Sequence, residues 1–504
     1  MSPSRNPVTI FAAVLFCLAS WCRGAEGRPE HSFRHDHVLG TSLDLTVRGV
    51  APPAAQLAEQ AALAEVERLR VILSTYDPAS QISRLNRVER PVACDKELIE
   101  VLTLCDDWRQ RSGGAFNAQL GRLIALWKQA EKLQTLPDDT QLAQVVAQAN
   151  RPAWQIYPDS GQVRRFGAEP LNVDALAKGY IVDKALAAAR AACPQATGIL
   201  LDIGGDLATW GRQDDAWRIG IADPHQPADN AAPLLTLRLR NHAVATSGAY
   251  ERYYTIGGRR YSHIFDPRTG RPAEGVASAT AIAPDCATAD ALATILCVLR
   301  PEEGLRLVRS LRAEGRDVHC LLVLPDGRQA RSDGMADLIE PLPVAGPATA
   351  PAAWPRGFQL TVNVTIRQQT GRKTHRPYVA TWIEDAQGRP VRTLAVWGRE
   401  REYLRELSKW WSFARNDSKL LTTVTRASRG PGRYTLAWDG LDDKGKPAPP
   451  GLYTVRVESA REKAPHVVVS GKIACDGKSA TVRIDGNSEL DPTELVYGPK
   501  PASP

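Results

Sequence analysis

The sequence predicts an α+β domain followed by a smaller all-β sandwich, and three observations carry this prediction. Over the first two thirds of the 504 residues, strand-like and helix-like segments are mixed without a regular alternating unit. Residues 341–356 are rich in proline and alanine, which is typical of a stiff linker. Beyond this segment, residues 357–490 contain short alternating stretches separated by turn signals, a pattern that indicates an immunoglobulin-like β-sandwich.

The composition is that of an ordinary globular protein, with 43% hydrophobic and 24% charged residues. The net charge of +7 is spread along the chain and forms no basic stripe, so nucleic-acid binding is not indicated. Nine cysteines show no CxxC or Cys/His ligand spacing, which disfavours a zinc site and a disulfide scaffold. A single disulfide stays open for an oxidising compartment.

The N-terminus, residues 1–25, has the pattern of a secretory signal peptide. Arg5 precedes an apolar run from Val8 to Ala19, which is too short to span a bilayer of ~30 Å. The alternative is a buried helix. Lipid attachment at Cys22 is disfavoured because Trp21 stands where a small residue is needed. The sequence therefore predicts export and a periplasmic location.

The first domain is predicted to span residues 28–340. Alternation indicates an opening strand over residues 35–48, and Leu57, Ala61, Ala64, Leu69 and Ile72 predict one apolar face of a helix over residues 54–73. The further predicted helices cover residues 96–112, 118–133, 138–149, 175–192 and 287–299. The further predicted strands cover residues 199–207, 217–222, 234–239, 243–246, 320–324 and 329–332.

The stretch from Ala245 to Arg271 concentrates reactive side chains. It predicts a strand ending in Thr246-Ser247-Gly248, then a hairpin that turns at Gly257-Gly258. His263, Asp266 and a proline-fixed turn follow within a few residues, a combination suited to acid–base chemistry. The alternative is a strand and loop with polar caps.

Three further segments carry candidate ligand-binding groups. Asp290 and Thr294 are four residues apart on a predicted helix, so their oxygens face one side and suit a hard cation. Lys178, near a helix start, is a candidate phosphate ligand. Gly204-Gly205-Asp206 follows a buried strand and allows close backbone approach to a ligand. For each segment the alternative is a solvated or capping role.

Taken in order, these segments resemble the FAD:protein FMN transferase (ApbE-like) family from about His35 to Met335. The matching sequence segments are LSTYDPASQISRLN, AKGYIVDKA, DIGGDLATWG, WRIGIADP, ATSGAYERYY, HIFDPRTG and ADALATILCVL. The resemblance implies a flavin-transferase-type fold and an enzyme that moves FMN from FAD onto a Thr or Ser hydroxyl, with release of AMP. It also implies Mg²⁺ as cofactor and an acceptor flavoprotein, of a membrane redox complex, as partner.

The resemblance also implies a role for each matching residue. Magnesium is held by Asp290, Thr294 and the backbone carbonyl of Ala175. His263, Asp266 and Lys178 lie at the phosphates and serve catalysis. Our hypothesis is that His263 is the base and Asp266 its orienting partner. The residues implied in FAD binding are Tyr76, Asn86, Lys178, Gly204, Gly205, Asp206, Thr246, Ser247 and Gly248.

The sequence departs from the family pattern at Asn172-Val173-Asp174-Ala175, which replaces an Asp-Leu-Gly-Gly-like entry to the lysine helix. Asp174 thereby adds a carboxylate near the expected metal, where it could become a ligand or repel phosphate. Two other functions remain as alternatives. One is an FAD pyrophosphatase that yields FMN and AMP, and the other is a non-catalytic periplasmic FAD-binding module.

The second domain resembles an uncharacterised β-sandwich domain often found beside such transferases. We expect its tryptophans to form core (Trp382, Trp397, Trp410, Trp411 and Trp438) and its acidic turn, Asp439 to Asp443, to be a hairpin turn rather than a calcium site. No catalysis is expected here. Docking of the acceptor protein or of the cell envelope is the hypothesis for this domain.

Overall fold

The computed structural model describes residues 29–167, 169–212, 216–226, 228, 230–248, 252–341, 354–355, 357–368, 376–398, 401–417, 420–421, 424–426, 428–461 and 466–500. The expected signal peptide, most of the expected linker and Ala249-Tyr250-Glu251 lie outside these residues. Within them the chain separates into two compact units. One takes in residues 29–224 and 235–340, and the other takes in residues 225–234 and those from 341 onwards.

An antiparallel sheet forms the centre of the first unit. Its strands are β1 (Glu30–Val38), β2 (Thr41–Arg48), β6 (Gly198–Ile203), β7 (Asp206–Gly211), β10 (Ala243–Gly248), β13 (Ser278–Ala283), β14 (His319–Val323) and β15 (Gln329–Arg331). Among the described residues they are ordered β1-β2-β6-β7-β10-β13-β14-β15. Two smaller groupings are β3 (Val92–Ala93) with β4 (Trp154–Tyr157) and β5 (Gln162–Arg165), and β8 (Trp217–Ile221) with β9 (Leu235–Leu239).

The opening segment is a hairpin, so the prediction of one strand over residues 35–48 is wrong. Val38 pairs with Thr41 across a turn at Leu39 and Gly40. Both turn residues have positive φ, 50° and 79°, which is the backbone of a tight hairpin. Leucine rarely adopts this conformation, so a turn at this position is hard to recognise from the residue types alone.

The helices of the first unit pack with the sheet around one large core. They are α1 (Pro52–Leu73), α2 (Gln81–Leu85), α3 (Lys96–Arg111), α4 (Gly121–Leu133), α5 (Asp139–Ala149), α6 (Asp174–Ala192), α7 (Cys286–Val298) and α8 (Pro301–Ala313). The predicted apolar face of α1 is partly wrong, because Leu57 is 54% exposed whereas Ala55, Ala58 and Ala62 are buried. Small side chains on this face suit the close packing of α1 against α6.

Helices α6 and α7 approach each other most closely at Gly179. A Cβ atom at this position would lie 2.2 Å from the carbonyl oxygen of Cys286. Neither backbone can yield locally, because Asp183 on α6 accepts hydrogen bonds from the backbone N–H groups of Cys286 and Ala287 at 2.7 and 2.9 Å. Glycine at residue 179 therefore permits the contact that brings the two helices together.

Replacing Gly179 with alanine is expected to lower the free energy of unfolding by about 3 kcal/mol, because the added methyl group forces two backbones apart. Urea denaturation followed by tryptophan fluorescence measures the loss. Gly275→Ala is the matched control, since nothing lies within 4 Å of a Cβ there. Equal stability of the two variants would contradict the close contact.

A smaller cluster supports the loop that carries His263. Strands β11 (Tyr253–Ile256) and β12 (Arg259–Ser262) form the predicted hairpin around Gly257-Gly258. Phe265 packs with Trp127 of α4 and with residues of α5, and the Trp127 indole N–H donates to the carbonyl of Gly270 at 2.9 Å. The loop is thus anchored on both sides of the turn that begins at Asp266.

The second unit consists mainly of two antiparallel sheets around a tryptophan-rich core. Its strands are β16 (Phe358–Ile366), β17 (Tyr378–Glu384), β18 (Pro390–Trp397), β19 (Thr425–Arg426), β20 (Gly432–Trp438), β21 (Gly451–Ala460), β22 (Val467–Cys475), β23 (Ala480–Ile484) and β24 (Thr493–Pro499), and two short helices are α9 (Arg401–Leu404) and α10 (Ser408–Ala414). The predicted tryptophan core is confirmed for Trp382, Trp397, Trp410 and Trp438, each at most 1% exposed. Trp411 is only partly buried.

The acidic segment of the second unit is a turn, as expected. Asp439 accepts the N–H of Leu441, and Asp442 accepts the N–H groups of Lys444 and Lys446. Asp443 accepts the N–H of Thr393 at 3.0 Å. These carboxylates accept hydrogen bonds from backbone N–H groups, which explains the acidic residues of the turn without a bound cation.

The cysteines that the structure describes, from Cys94 to Cys475, form no disulfide with one another. Cys286 and Cys297 are buried on α7. Cys94 precedes α3, and Cys105 is buried within that helix. In the described part of the chain, the helices are too short or too polar to cross a bilayer.

Candidate functional site

Three segments that lie far apart in the sequence meet where α6 and α7 pack together. Lys178 Nζ on α6 lies 3.0 Å from a carboxylate oxygen of Asp206, at the start of β7. Asp290 on α7 accepts the backbone N–H of Gly179 at 3.1 Å. The structure therefore unites Lys178, Asp206 and Asp290, which the sequence had offered as separate candidates.

This cluster holds more carboxyl groups than ammonium groups. Asp206 is 2% exposed and Asp290 is 5% exposed. Burial raises the pKa of Asp290 well above its usual value, and the neighbouring Asp206 charge raises it further. Burial also raises the pKa of Asp206, against the opposing effect of Lys178. Two buried carboxylates beside one ammonium group leave the site short of positive charge.

The strand end Thr246-Ser247-Gly248 lies beside α7. The hydroxyl oxygens of Ser247 and Thr294 are 3.3 Å apart. Thr246 instead contacts Thr280 of the adjacent strand β13, with the two hydroxyl oxygens 2.9 Å apart. The Ser247 hydroxyl thus lies beside the Thr294 hydroxyl of α7, whereas the Thr246 hydroxyl contacts the neighbouring strand of the sheet.

The donor set suits a hard divalent cation. In an α-helix the N–H of residue 179 faces the carbonyl of residue 175, and Asp290 accepts a hydrogen bond from that same N–H. The Ala175 carbonyl and the Asp290 carboxylate are therefore neighbours, and Thr294 lies one turn further along α7. Carbonyl, carboxylate and hydroxyl oxygens are magnesium ligands, and a divalent cation would offset the excess charge. No group of three or more His, Cys, Asp or Glu side chains converges as a metal site among the described residues.

The glycine turn before Asp206 has a backbone that only glycine adopts easily. Gly204 and Gly205 have φ values of 59° and 93°. A Cβ atom at Gly204 would lie 2.5 Å from the Thr41 side chain. Asp202 fixes the turn by accepting the N–H of Gly205 at 2.8 Å. The turn thereby presents backbone next to Asp206, and the Lys178 ammonium lies 3.5 Å from the Gly204 carbonyl.

His263 is a neutral imidazole with one nitrogen available. Its Nδ1 lies 3.0 Å from the carbonyl oxygen of Arg252. Because a carbonyl only accepts hydrogen bonds, Nδ1 carries the proton and Nε2 keeps its lone pair. Burial and the nearby Arg252 charge lower the pKa of His263 to about 4. The ring is therefore uncharged at neutral pH, with the lone pair of Nε2 in place.

The expectation that Asp266 orients His263 is wrong. Both carboxylate oxygens of Asp266 bind the Arg268 guanidinium, at 2.8 and 2.9 Å, and one also accepts the Arg268 backbone N–H. The backbone carbonyl of Asp266 closes the turn by accepting the N–H of Gly270 at 2.8 Å. Asp266 shapes the loop, and the carbonyl of Arg252 orients the imidazole.

Tyr76 and Asn86 play different parts. Tyr76 is 78% exposed, and the Asp174 charge raises the pKa of its hydroxyl to about 12. Asn86 donates to the carbonyl of Leu171 at 3.0 Å and accepts the Leu171 N–H at 2.8 Å. Its amide is thus occupied in holding the entry to α6, so Asn86 contributes position rather than a free group for a ligand.

Sequence reasoning missed two residues that build the site. Arg252 orients His263 through its backbone and lowers the pKa of the imidazole. Asp183 binds the N-terminus of α7 through Cys286 and Ala287. A signal for Asp183 existed, because it lies four residues after Gly179 and so shares the helix face that meets α7. The backbone role of Arg252 has no side-chain signature.

Comparisons with known proteins agree with this geometry. Residues 39–319, more than half of the chain, match the ApbE family, and residues 359–492 match a family described as a predicted periplasmic protein (DUF2271). An FAD:protein FMN transferase of Treponema pallidum is 32% identical over 352 residues, covering 65% of this chain and 94% of that protein. One of Escherichia coli K12 is 27% identical over 331 residues, covering 61% and 91%.

Solved structures show the same relationship. The crystal structure of an ApbE protein from Thermotoga maritima has a TM-score of 0.56 and 29% identity, covering 62% of this chain and 100% of that one. The apo form of the flavinyl transferase ApbE from Pseudomonas stutzeri has a TM-score of 0.52 and 25% identity, covering 62% and 97%. The α+β fold expected for the first domain is thereby confirmed, and this chain belongs to the ApbE family.

Proposed function

We propose that this protein is an FAD:protein FMN transferase, which moves FMN from FAD onto a Thr or Ser hydroxyl of an acceptor flavoprotein, with Mg²⁺ as cofactor. The observation that carries the proposal is the meeting of Lys178, Asp206 and Asp290 at the crossing of α6 and α7. A lysine beside buried carboxylates and a glycine turn suits a diphosphate bridged by a divalent cation. The named relatives are FAD:protein FMN transferases.

The proposed residues divide into three groups. Asp290, Thr294 and the Ala175 carbonyl would hold magnesium, which neutralises the diphosphate when bound. Lys178, the Gly204-Gly205-Asp206 turn and the Thr246-Ser247-Gly248 strand end would line the dinucleotide. Tyr76 would face the flavin, because an exposed aromatic ring suits stacking. Asn86 and Asp266 would support the site by fixing its loops.

His263 would act as the general base. Its Nε2 takes the proton of the acceptor hydroxyl, whose oxygen then forms a bond to the phosphorus on the FMN side of FAD. The bond between that phosphorus and the bridging oxygen breaks, and AMP leaves with its electron pair. Lys178 stabilises the charge that develops on the phosphate oxygens. The products are AMP and an acceptor that carries FMN through a phosphoester.

The pH dependence of transfer should report the lowered pKa of His263. Because the imidazole keeps its neutral form until the pH approaches about 4, activity should stay level from pH 8 to 6 and fall only below about pH 5. An ordinary histidine would instead cause a fall near 6.5. Initial rates of acceptor labelling between pH 4.5 and 8.5 measure this, with circular dichroism as the control for acid unfolding. A midpoint near 6.5 would show that the imidazole is not shielded.

The decisive experiment incubates the purified protein with FAD, Mg²⁺ and candidate envelope flavoproteins, and measures in-gel flavin fluorescence and AMP. A fluorescent acceptor band with an equal amount of AMP supports transfer. AMP with free FMN and no labelled band would identify an FAD pyrophosphatase and overturn the proposal. Tight FAD binding without AMP would identify a binding module and overturn it too.

The proposed place of action is the periplasm, where an acceptor flavoprotein of a membrane redox complex would be the partner. The description of the family matched by residues 359–492 supports this place, as does the signal pattern of residues 1–25. In the proposed domain organisation, residues 28–340 form the transferase domain and residues 341–356 a linker. The sandwich of residues 357–490 would then serve docking rather than chemistry.

A further inference from the structure

Asp174 lies in the segment where this sequence departs from the family pattern, and both of its carboxylate oxygens accept hydrogen bonds. One carboxylate oxygen accepts the hydroxyl of Thr75 at 2.9 Å. The other accepts the side-chain amide of Asn172 at 3.1 Å, and the Asp174 N–H donates to Asn172 at 3.0 Å. Although Asp174 neighbours Ala175 in sequence, its carboxylate therefore faces the loop that contains Thr75 and Tyr76.

This loop, residues 74–80, is closed at its base by its own contacts. The Ser80 hydroxyl donates to the Ser74 carbonyl at 2.6 Å, and the Ser74 hydroxyl accepts the Asp77 N–H at 3.2 Å. The Thr75–Asp174 hydrogen bond crosses 99 residues of sequence and ties the loop to α6. Since Tyr76 is the next residue, its position depends on this tie.

The position of Tyr76 matters because its ring is exposed. Its ring is 78% exposed, an unusual state for a tyrosine held in a defined loop. Its hydroxyl interacts with the Asp174 charge. Lys178 lies on the same helix, one turn beyond Asp174. The loop and the proposed diphosphate-binding lysine are therefore both held by one rigid helix.

We propose that Asp174 is a positioning residue that acts through Thr75 to hold Tyr76 against the flavin of FAD, and that it is not a magnesium ligand. This inference rests on the proposed function, because it names how one substrate group is held. Under this proposal the Asp174 carboxylate acts at the flavin end of the site. The alternative, a fourth magnesium ligand, requires a carboxylate oxygen turned away from Thr75 and Asn172.

The test measures FAD affinity and bound-flavin fluorescence of the full chain for Asp174→Ala, Thr75→Val and the double variant, with Tyr76→Leu as the reference for loss of the ring. Each single variant should bind FAD about tenfold more weakly, as expected for loss of a hydrogen bond to a charged group. Each should also shift flavin emission towards that of Tyr76→Leu. The double variant should be no weaker than Asp174→Ala, because both changes remove one interaction.

The conservative variant Asp174→Asn separates positioning from metal binding. An asparagine oxygen still accepts the Thr75 hydroxyl, so FAD affinity and emission should return to wild-type values. The Mg²⁺ concentration for half-maximal FAD binding should be the same in all variants. A raised Mg²⁺ requirement in both Asp174→Asn and Asp174→Ala would overturn the inference, as would unchanged FAD binding in Asp174→Ala. Failure of the wild-type chain to bind FAD would instead overturn the proposed function together with this inference.

Discussion

Replacing His263 with alanine is expected to slow FMN transfer by about 10²–10⁴-fold while FAD binding is largely retained. The structure gives the reason, since Nε2 is the free nitrogen of a ring whose Nδ1 is fixed by the Arg252 carbonyl. An acceptor hydroxyl is a poor nucleophile at neutral pH without a base to take its proton. Transfer is measured as the initial rate of acceptor labelling, and FAD binding as the change in flavin fluorescence.

The control for this substitution is His242→Ala. His242 is another imidazole of the first unit, held by the Arg240 carbonyl and by Asp317, and its loss should leave the rate of transfer unchanged. Thermal unfolding of both variants checks that the fold survives. Full transfer activity in His263→Ala would remove the imidazole from the reaction and leave deprotonation to another group.

The helices at the centre of the site could be predicted because their sequences carry both periodicity and chemistry. The predicted helix over residues 175–192 corresponds to α6, and that over residues 287–299 corresponds to α7, each to within one residue at either end. Lys178 and Asp290 were therefore placed on the correct elements. Their meeting depended on Gly179, whose role as a contact point is visible only when both helices are in place.

Strand β13 shows why part of the sheet escaped prediction. Its sequence, Ser278 to Ala283, consists mostly of small residues with weak strand preference. All six residues are buried, between the neighbouring strands and α7, which packs directly against β13. Small side chains allow this close packing, but the same choice removes the branched or aromatic alternation by which strands are recognised.

The orientation of His263 escaped prediction for a different reason. A sequence shows side chains, so a carboxylate three residues away was the natural candidate for the orienting group. The structure uses a backbone carbonyl for His263 and commits Asp266 to Arg268. Asn86 follows the same principle, because its amide binds the backbone of Leu171. Contacts with the main chain depend on tertiary structure. The side chain of the residue that supplies the backbone group therefore does not reveal the contact in the sequence.

Replacing Asp290 with asparagine is expected to abolish the response to Mg²⁺ and to lower transfer by at least about 10²-fold, as for loss of a group that stabilises transition-state charge. The same substitution should stabilise the metal-free protein. Asparagine keeps the shape and still accepts the Gly179 N–H, but it removes the buried carboxylate whose pKa is raised by burial and by the neighbouring Asp206 charge. Each pKa unit corresponds to about 1 kcal/mol or somewhat more, so a gain of that order is expected at neutral pH.

The pH dependence of this gain has a definite sign. In the metal-free wild-type protein the pKa of Asp290 is raised above the ordinary value of 3.8, so the folded state loses stability, relative to the variant, as the pH rises above 3.8. The advantage of Asp290→Asn should therefore grow from pH 5 to pH 8 in EDTA. Thermal unfolding with and without Mg²⁺ measures it, with Asp107→Asn, a surface residue paired with Arg111, as control.

Magnesium should reverse the order of stability. It should raise the melting temperature of the wild-type protein, because binding to the folded state offsets the carboxylate repulsion, and leave that of Asp290→Asn unchanged. A purely structural aspartate would give the opposite result in EDTA, since breaking its contacts destabilises the fold without any metal. Loss of stability in the metal-free variant, or a Mg²⁺ shift equal to that of the wild type, would therefore exclude Asp290 as a ligand.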